Sequence, residues 1–251
     1  MKISVVTVCF NSSATIADTL RTVDAQTWPD IEHWIIDGGS SDDTLQIIGQ
    51  HRQPWRHVLS EADLGIYDAM NKGFARVTGD YIGCLNADDM FASDRAVSAI
   101  AGRATDGPEL VYGDLVYVSA EDTGKVIRHW RSGKFEPSCL RQGWMPPHPT
   151  AYIRRDVLKQ IGGFDTSLSV AADYDLLMRC LTRSQATAAH IPEVLVRMRA
   201  GGVSNGTLRN ILRKSSEDLK VIRRHHLGGW LTLAQKNLRK LPQFMEMLSG
   251  R

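Results

Sequence analysis

Two adjacent carboxylates follow a short apolar segment and are suited to binding a divalent metal ion. Residues 81–85 are mostly apolar, and residues 86–89 after them have the sequence Asn-Ala-Asp-Asp. Asp88 and Asp89 repel each other, so a hard cation such as Mg²⁺ or Mn²⁺ would stabilise the pair, and magnesium fills its remaining positions with water and phosphate oxygens. The motif predicts a metal site that also binds a diphosphate. The alternative interpretation is that one of the two residues caps a helix beginning near Ala92.

Other polar residues fall where they would converge with this motif. Asn11 follows the first apolar run of the chain, and Asp37 ends the second. In an open parallel sheet, ligands bind outside the carboxyl ends of the strands. We therefore expect Asn11, Asp37 and residues 86–89 to share one edge of a sheet.

The elements that must position these residues alternate between strand and helix patterns. The predicted strands are 3–8, 31–36, 57–60 and 81–85, and helical spacing of apolar residues covers 16–23, 45–48 and 66–77. This alternation predicts an α/β fold with a mostly parallel central sheet, flanked by helices and joined by right-handed crossovers.

After residue 108 the pattern changes. Residues 110–118 and 125–131 flank the turn sequence Asp122-Thr123-Gly124, which predicts an antiparallel hairpin. Helices are predicted over 155–161 and 172–183, and a last strand over 191–198. A half with a different architecture suggests a second region with its own binding role.

The C-terminal segment differs from the rest of the chain in charge. Residues 207–251 contain ten Lys or Arg and three Asp or Glu, so the remainder is net acidic. Apolar residues at helical spacing predict an amphipathic helix from Leu208 and a second helix over 230–248. A basic helix of this kind is either a solvated face or a contact for an anionic membrane surface.

Whole-chain properties exclude several classes of protein. A net charge of +2 with 43% hydrophobic residues is ordinary for a globular protein and implies no general affinity for nucleic acid. The four cysteines lack C-x-x-C spacing, which favours reduced thiols and a cytoplasmic location. No apolar run approaches the roughly 20 residues needed to cross a bilayer. Any membrane contact would be peripheral, at the inner face of the cytoplasmic membrane.

Over residues 1–205 the sequence resembles the family 2 glycosyltransferases of the GT-A fold. Six segments match family motifs in the family's order: 4–11 (SVVTVCFN), 35–44 (IIDGGSSDDT), 60–72 (SEADLGIYDAMNK), 78–89 (TGDYIGCLNADD), 162–165 (GGFD) and 172–176 (ADYDL). The resemblance implies an inverting enzyme that uses a nucleoside-diphosphate sugar.

The resemblance also implies roles for particular residues at the donor. The residues that it assigns to the nucleotide-sugar are Thr7, Phe10, Asp37, Asp63, Lys72 and Asp88. It makes Asp89 the main metal ligand, and Asp88 would contact either the ribose or the metal. Asn11 and Asn86 join this set from the strand-end argument above. The chain departs from the family pattern at one position: many relatives carry two acidic residues where this chain has Asp37 and Gly38. The second acidic residue often contacts uracil in those relatives, so the motif does not identify the base of the donor here.

The family places its catalytic base in an acidic motif at the start of a helix. That motif maps onto residues 172–175, and Asp173 is therefore the candidate base that removes the acceptor proton. Where the family more often has Glu-Asp, this chain has Ala172 and Asp173. Alternatively, Asp173 is an N-terminal helix charge that interacts with the helix dipole.

Two further residues are candidates for contacts with the metal or the diphosphate. His148 lies between prolines, and its imidazole is a plausible metal ligand, although a histidine in a loop is also often structural. Residues 199–204 resemble the mobile loop that closes over the donor diphosphate, with Arg199 as a phosphate partner. Ordinary turn chemistry explains the glycines of this loop equally well.

These observations predict a GT-A catalytic domain at 1–206 and a basic helical tail at 207–251. Residues 1–107 would bind the nucleotide-sugar and 108–206 the acceptor, a lipid-linked or polysaccharide-precursor glycan. The alternatives are a sugar-1-phosphate nucleotidyltransferase, whose Gly-rich N-terminal loop is missing, and a non-catalytic module that binds a sugar nucleotide. An NAD-dependent dehydrogenase is disfavoured because no G-x-G-x-x-G follows the first strand.

Overall fold

The first half of the chain forms a parallel sheet around a central buried strand. A computed structural model describes residues 1–201 and 208–239. Its first elements are β1 (Ile3–Cys9), α1 (Ile16–Asp24), β2 (Ile31–Asp37), α2 (Thr44–Gln50), β3 (Arg56–Ser60), α3 (Ile66–Phe74) and β4 (Tyr81–Cys84). β1 pairs in parallel with β2 and β4, and β3 pairs in parallel with β2. The predicted order of strands and helices is confirmed here.

The central strand is buried on both faces, which explains why five of its seven residues are apolar. Ile3 and Val5 belong to one hydrophobic cluster, whereas Val6 and Val8 belong to another on the opposite face. Because side chains alternate along a strand, a sheet covered by helices on both sides favours apolar residues that point to both faces.

The second half adds strands of both orientations to the same sheet. Its elements are β5 (Met90–Phe91), α4 (Ala96–Ala104), β6 (Leu110–Val118), β7 (Val126–Trp130), α5 (Pro137–Leu140), β8 (Tyr152–Arg154), α6 (Arg155–Ile161), α7 (Ala172–Leu181) and β9 (Ala188–Arg199). The sheet order is β3-β2-β1-β4-β8-β6-β9-β5, and β7 pairs with β6. The predicted hairpin of β6 and β7 is confirmed as antiparallel.

One predicted boundary is wrong, and its correction concerns the acidic motif. The sequence suggested a helix from near Ala92, but α4 begins only at Ala96. Met90 and Phe91 instead pair with Arg197 and Val196 of β9. Asp88 and Asp89 therefore precede a strand, so the helix-cap interpretation does not apply to them.

The described part of the C-terminal segment packs onto the second half of the chain. It forms α8 (Leu208–Arg224) and α9 (Trp230–Leu238). Leu219, Ile222 and Leu233 are buried in the same hydrophobic cluster as Leu177 of α7. The remainder of the second predicted helix, residues 240–248, lies outside the described residues, as do residues 202–204 of the predicted loop.

None of the helices in the described ranges is long and apolar enough to span a membrane.

Candidate active site

The loops after β1 and β2 interlock at the carboxyl edge of the sheet. Asn11 has a positive φ of 47°, a conformation that asparagine tolerates better than most residues. Its Oδ1 accepts a hydrogen bond from the Ser41 backbone N–H at 2.9 Å, and its own N–H donates to Ser40 Oγ at 2.8 Å. Asn11 thus fixes the relative position of the two loops, at the edge where the sequence predicted it.

Asp37 is fully buried at the end of β2 and organises the same edge. Its carboxylate accepts hydrogen bonds from Ser60 Oγ at 2.6 Å and from the backbone N–H groups of Gly39 and Ser40 at 3.2 and 3.1 Å. Burial by itself raises the pKa of Asp37, but the hydrogen bonds from Ser40 and Ser60 outweigh it and lower the pKa. Asp37 therefore remains ionised and joins the end of β3 to the loop after β2.

Gly38 leaves room for a carboxylate that comes from another segment. A Cβ atom on Gly38 would lie 2.4 Å from Asp63 Oδ2 and 3.4 Å from Phe10 Cδ2. The Phe10 ring is 62% exposed, and Asp63 Oδ1 accepts a hydrogen bond from the Gly65 N–H at 2.8 Å. The departure from the family pattern thus has a physical reason, since Asp63 occupies the space that a second acidic side chain at position 38 would need.

Lys72 and Thr7 have partners within the protein. Lys72 Nζ donates to the Ala62 carbonyl at 2.7 Å and lies 3.0 Å from Glu61 Oε1, and this hydrogen bond to Glu61 raises the pKa of Lys72. It ties α3 to the loop that carries Asp63. The Thr7 hydroxyl is buried in the sheet, 2.9 Å from His33 Nε2. Contacts of Thr7 and Lys72 with the nucleotide stay predictions.

The acidic motif contains buried oxygen atoms without a hydrogen-bond partner in the described part of the chain. Asp89 is fully buried, and these atoms are its Oδ1 and the Oδ1 of Asn86. Asn86 Nδ2 donates weakly to Asp89 Oδ2 at 3.4 Å, and Thr19 Oγ1 donates to the Asp89 carbonyl at 2.7 Å. An unpartnered buried carboxylate oxygen is costly unless a cation or a donor completes it.

Burial raises the pKa values of both carboxylates in this motif. For Asp88, burial is the largest cause, and the charge of Arg199 partly offsets it. For Asp89 the shift is larger, because burial and the neighbouring charge of Asp88 act in the same direction. A site that disfavours its own negative charge is suited to binding a positive ion.

The donor set fits a hard cation that takes part of its coordination from a substrate. Asp88 and Asp89 supply carboxylate oxygens, the ligand type that Mg²⁺ and Mn²⁺ prefer. Within residues 1–201 and 208–239, no cluster of three or more His, Cys, Asp and Glu residues has metal-binding geometry. A metal at this motif would therefore need oxygen ligands from water or a diphosphate.

Arg199 lies at the end of β9 beside the acidic motif. Its guanidinium forms an ion pair with Asp18 and donates to the Ala120 carbonyl at 3.1 Å, whereas its buried Nε–H has no partner within residues 1–201 and 208–239. The structure thus brings Arg199 to the predicted edge and anchors it to α1. A contact with a phosphate stays a prediction.

A cleft of about 670 Å³ brings residues from both halves of the chain together. Asn86, His148 and Asp173 all line it. Tyr117 lines it too, and burial raises its pKa, an effect that the charge of Arg128 opposes and the charges of Asp89 and Asp173 reinforce. Carboxylates from both halves of the chain thus act on Tyr117.

Asp173 and His148 hold defined positions in this cleft. Asp173 is in the first turn of α7, where its Oδ1 accepts the Tyr174 N–H at 2.7 Å. His148 begins a short 3₁₀ turn, and its ring packs edge-on against Phe164 with centroids 5.4 Å apart. Burial lowers the pKa of His148, which keeps its imidazole neutral, although the charge of Asp173 opposes this effect. A neutral imidazole can accept a proton or bind a metal.

Sequence reasoning missed several residues of the cleft wall. These are Tyr117, Arg128, Trp130 and Trp144 of the second half, together with Lys214, Asp218, Lys236 and Arg239 of α8 and α9. The basic C-terminal segment was noticed but was assigned to solvent or a membrane. Only its helix packing indicates that some of its charges face the cleft.

Comparison with known proteins agrees with this geometry. Residues 4–162 match the sequence profile of Glycosyl transferase family 2. An uncharacterized glycosyltransferase of Mycobacterium tuberculosis is 30% identical over 186 residues, which cover 70% of this chain and 68% of that protein. A PGL/p-HBAD biosynthesis glycosyltransferase of Mycobacterium bovis is 29% identical over 208 residues, covering 80% and 78%.

Solved structures share the fold at low sequence identity. Staphylococcus aureus TarS 1–349 in complex with UDP-GlcNAc has a TM-score of 0.70 at 17% identity, covering 99% of this chain and 72% of that one. The mannosyltransferase PcManGT from Pyrobaculum calidifontis, in complex with GDP-Man and Mn²⁺, has a TM-score of 0.67 at 17% identity, covering 99% and 74%. The expected GT-A architecture is thereby confirmed.

Proposed function

The chain belongs to glycosyl transferase family 2 and is a glycosyltransferase, and on that premise we propose that it transfers a sugar from a nucleoside-diphosphate sugar to an acceptor hydroxyl with inversion. The observation that carries the proposal is the cleft in which Asn86 and Asp173 meet. The acidic motif and the candidate base thus border the same cleft. Transfer requires this, because the donor and the acceptor must bind next to each other.

The donor would bind along the carboxyl edge of the sheet. The exposed Phe10 ring and the Asp63 carboxylate beside Gly38 offer a stacking surface and a hydrogen-bond acceptor for the base. Asn11 and Asp37 hold the loops that frame this position. The diphosphate would lie at residues 86–89, within reach of Arg199.

Asp88 and Asp89 would hold Mg²⁺ or Mn²⁺, because the buried Oδ1 of Asp89 has no hydrogen-bond partner among the described residues. His148 is a further candidate ligand from across the cleft. A bound cation would supply positive charge that stabilises the departing diphosphate.

Asp173 would act as the base in a direct displacement. Its carboxylate takes the proton of the acceptor hydroxyl, whose oxygen forms a bond to the anomeric carbon. The bond from that carbon to the diphosphate breaks, and the nucleoside diphosphate leaves with the bonding electrons. Attack from the face opposite the leaving group gives inversion.

The acceptor would be a lipid-linked or polysaccharide-precursor glycan. Relatives are named for PGL/p-HBAD biosynthesis and for O-antigen biosynthesis. Trp230 and Leu231 of α9 are 68% and 73% exposed on a segment rich in Lys and Arg. This combination suits the anionic inner face of the cytoplasmic membrane, where a lipid-linked acceptor would be presented.

A donor panel tests the proposal directly. The full chain is incubated with UDP-, GDP-, dTDP- and CDP-sugars in Mn²⁺ or Mg²⁺, and release of the free nucleoside diphosphate is measured. We expect slow hydrolysis of one donor class that depends on the metal. Asp106→Asn, a change of an exposed carboxylate, should leave this rate unaltered, whereas metal-independent release or no release from any donor would contradict the proposal.

A further inference from the structure

Two segments that match family motifs, 60–72 and 162–165, bind each other across the two halves of the chain. Asn71 in α3 contacts the backbone of Phe164 twice: its Nδ2 donates to the Phe164 carbonyl at 2.9 Å, and its Oδ1 accepts the Phe164 N–H at 2.7 Å. Gly163 permits this close approach, because a Cβ atom there would clash with Asn71 Oδ1. A helix of the first half is thus joined to the segment that leads toward α7.

The ring of Phe164 adds an apolar contact between the same two segments. It stacks on Tyr67 and on Phe74 of α3, with ring centroids 5.3 and 5.2 Å apart. Stacked aromatic pairs stabilise a contact beyond the area that they bury. His148, which lines the cleft, packs edge-on against the same ring. The packing of α3 on Phe164 therefore also supports a residue of the cleft wall.

Tyr67 extends this contact to the residues that precede the candidate base. Its hydroxyl donates to the Val170 carbonyl at 2.9 Å, three residues before Asp173. The N–H of Val170 donates to the Glu217 carboxylate at 2.8 Å. Both backbone polar groups of Val170 are thus fixed by side chains, one from α3 and one from α8.

The surroundings of the Tyr67 hydroxyl keep it protonated and able to donate. Burial raises the pKa of Tyr67, and the charges of Asp173 and Glu217 raise it further. The backbone N–H groups of Asp173 and Ala172 oppose these effects. The first turn of α7 therefore acts on the same hydroxyl that binds the Val170 carbonyl.

The helix that carries Tyr67 is fixed to the loop of the proposed donor site. Gly65, at a φ of 116°, is the N-cap of α3, and its N–H donates to Asp63 Oδ1 at 2.8 Å. Lys72, in the last turn of α3, donates to the Ala62 carbonyl at 2.7 Å. One helix thus contacts both the loop that carries Asp63 and the segment that enters α7.

We infer that Tyr67 is a positioning residue for Asp173: its hydroxyl fixes the Val170 carbonyl, and α3 thereby sets the place of the base relative to the donor site. This inference rests on the proposed function, since it takes Asp173 as the base. The base must meet the acceptor oxygen opposite the leaving group, so its position relative to the donor decides the rate. A misplacement of about 1 Å can slow a reaction about a hundredfold.

The test is a double-mutant cycle of Tyr67 and Asp173 in the full chain. Tyr67→Phe keeps the ring that stacks on Phe164 and removes only the hydroxyl. The reaction is hydrolysis of the sugar nucleotide that the donor panel identifies, with water as the acceptor and Mn²⁺ present. Tyr152→Phe is the matched control, because the buried Tyr152 hydroxyl has no hydrogen-bond partner among the described residues and Tyr152 is not part of the cleft lining.

Tyr67→Phe should lower kcat by about tenfold and change the donor KM by less than about twofold. In the Asp173→Asn protein the same substitution should change the remaining rate by less than about twofold, because Tyr67 acts through Asp173. An unchanged kcat, an equal loss in both backgrounds, or a higher donor KM at constant kcat would each overturn the inference.

A second background covers the case in which the Asp173→Asn rate is too low to measure. Asp173→Glu keeps a carboxylate but moves it, so the position that Tyr67 maintains is already lost. Tyr67→Phe should then lower kcat by less than about threefold. A tenfold loss in this background would show that Tyr67 does not act through the base.

Amide hydrogen exchange supplies a measurement that needs no turnover. Peptides that span residues 167–176 should exchange about fivefold faster or more in Tyr67→Phe than in the wild-type protein and in Tyr152→Phe. Exchange in β1 should be the same in all three, which shows that the fold is intact. Unchanged exchange over 167–176 would refute the inference, and faster exchange with an unchanged kcat would leave Tyr67 a purely structural role.

Failure of the proposed function would be recognised separately. A wild-type rate in Asp173→Asn, or no release of nucleoside diphosphate from any donor, contradicts that function whatever Tyr67→Phe does. A rate that depends on Asp173 but not on Tyr67 contradicts only the positioning role.

Discussion

The Glu217 carboxylate in α8 accepts a hydrogen bond from the Ala171 backbone N–H at 3.0 Å, two residues before Asp173. It also accepts the N–H groups of Val170 and Ser169 at 2.8 and 3.1 Å. A side chain from the basic C-terminal segment thus holds the chain that enters α7. The position of the candidate base consequently depends on a helix that the sequence alone assigned to a tail.

Replacing Glu217 should impair catalysis as well as stability. Glu217→Ala leaves three backbone donors unpaired at a largely buried position, which we expect to cost about 1–3 kcal/mol of unfolding free energy. The kcat should fall by about tenfold or more because Asp173 is displaced. Glu217→Gln retains one acceptor oxygen, so its losses of unfolding free energy and of kcat should be smaller. The measurements are urea denaturation and steady-state kinetics, with Glu193→Ala as a control at an exposed position. A lower stability with an unchanged kcat would restrict Glu217 to a structural role.

Asp173→Asn should abolish transfer and preserve donor binding. The amide keeps the shape of the side chain and can still accept the Tyr174 N–H, but it cannot take a proton from the acceptor. We expect kcat to fall by about a hundredfold or more, with a donor Kd within about twofold of the wild-type value. Asp106→Asn is the matched control. Substantial turnover by Asp173→Asn would remove this residue from the mechanism.

Asp89→Asn should stabilise the metal-free protein and abolish activity. Burial and the charge of Asp88 disfavour an ionised Asp89, so removing that charge should raise the unfolding free energy in chelator by on the order of 1 kcal/mol. Addition of Mn²⁺ should raise the Tm of the wild-type protein, and this increase should vanish in Asp89→Asn. Thermal denaturation with and without Mn²⁺ measures both effects. An equal Mn²⁺-dependent increase in the variant would place the metal elsewhere.

Asp175 should make the packing of α7 against α8 sensitive to acid. The carboxyl is fully buried and accepts Arg179 Nε at 2.8 Å, Arg224 Nη1 at 3.1 Å and His225 Nε2 at 3.0 Å. Burial raises its pKa, but the hydrogen bonds from His225 and Arg179 outweigh burial and lower the pKa to about 2. Since the pKa is depressed in the folded state, the contribution to stability is complete above the ordinary value of 3.8 and disappears as the pH falls toward about 2.

The matching experiment is denaturation of Asp175→Asn across that pH range. At neutral pH the variant should be less stable than the wild-type protein by about 2 kcal/mol, and the difference should approach zero near the pKa of about 2. Asp106→Asn serves again as the control. A destabilisation that stays constant with pH would mean that lost packing, and not lost charge, is its cause.

Membrane contact should depend on the exposed apolar residues of α9. Truncating residues 207–251 would remove buried core residues and Glu217, so point substitutions are the appropriate test. Trp230→Ala with Leu231→Ala should lower co-sedimentation with vesicles that contain anionic phospholipid by about tenfold, with little change for zwitterionic vesicles. Val58→Ala, a partly exposed apolar residue of β3, is the control. Equal sedimentation of the double variant and the wild-type protein would exclude this contact.

Local sequence patterns were sufficient to predict the parallel half of the fold and the location of the acidic motif. The β-branched run of β1, the alternation of strands and helices, and the polar residues at strand ends depend on short-range periodicity, which a single sequence displays directly. For the same reason, Asn11, Asp37, Asp88 and Asp89 were predicted at one edge, and the structure places them there. The hairpin of β6 and β7 was also predictable from its turn sequence.

The contacts of these residues depend on long-range packing, which local sequence patterns do not reveal. Asp37 accepts hydrogen bonds from Ser40 and Ser60, and Asp63 occupies the space over Gly38. Both arrangements arise because loops distant in sequence fold onto one another. The role of the C-terminal segment depends on which of its charges face inward, and that is set by the packing of α8 and α9 against α7. Helical periodicity identifies an apolar face but not the partner that covers it, so Glu217, Lys236 and Arg239 were not predictable as parts of the site.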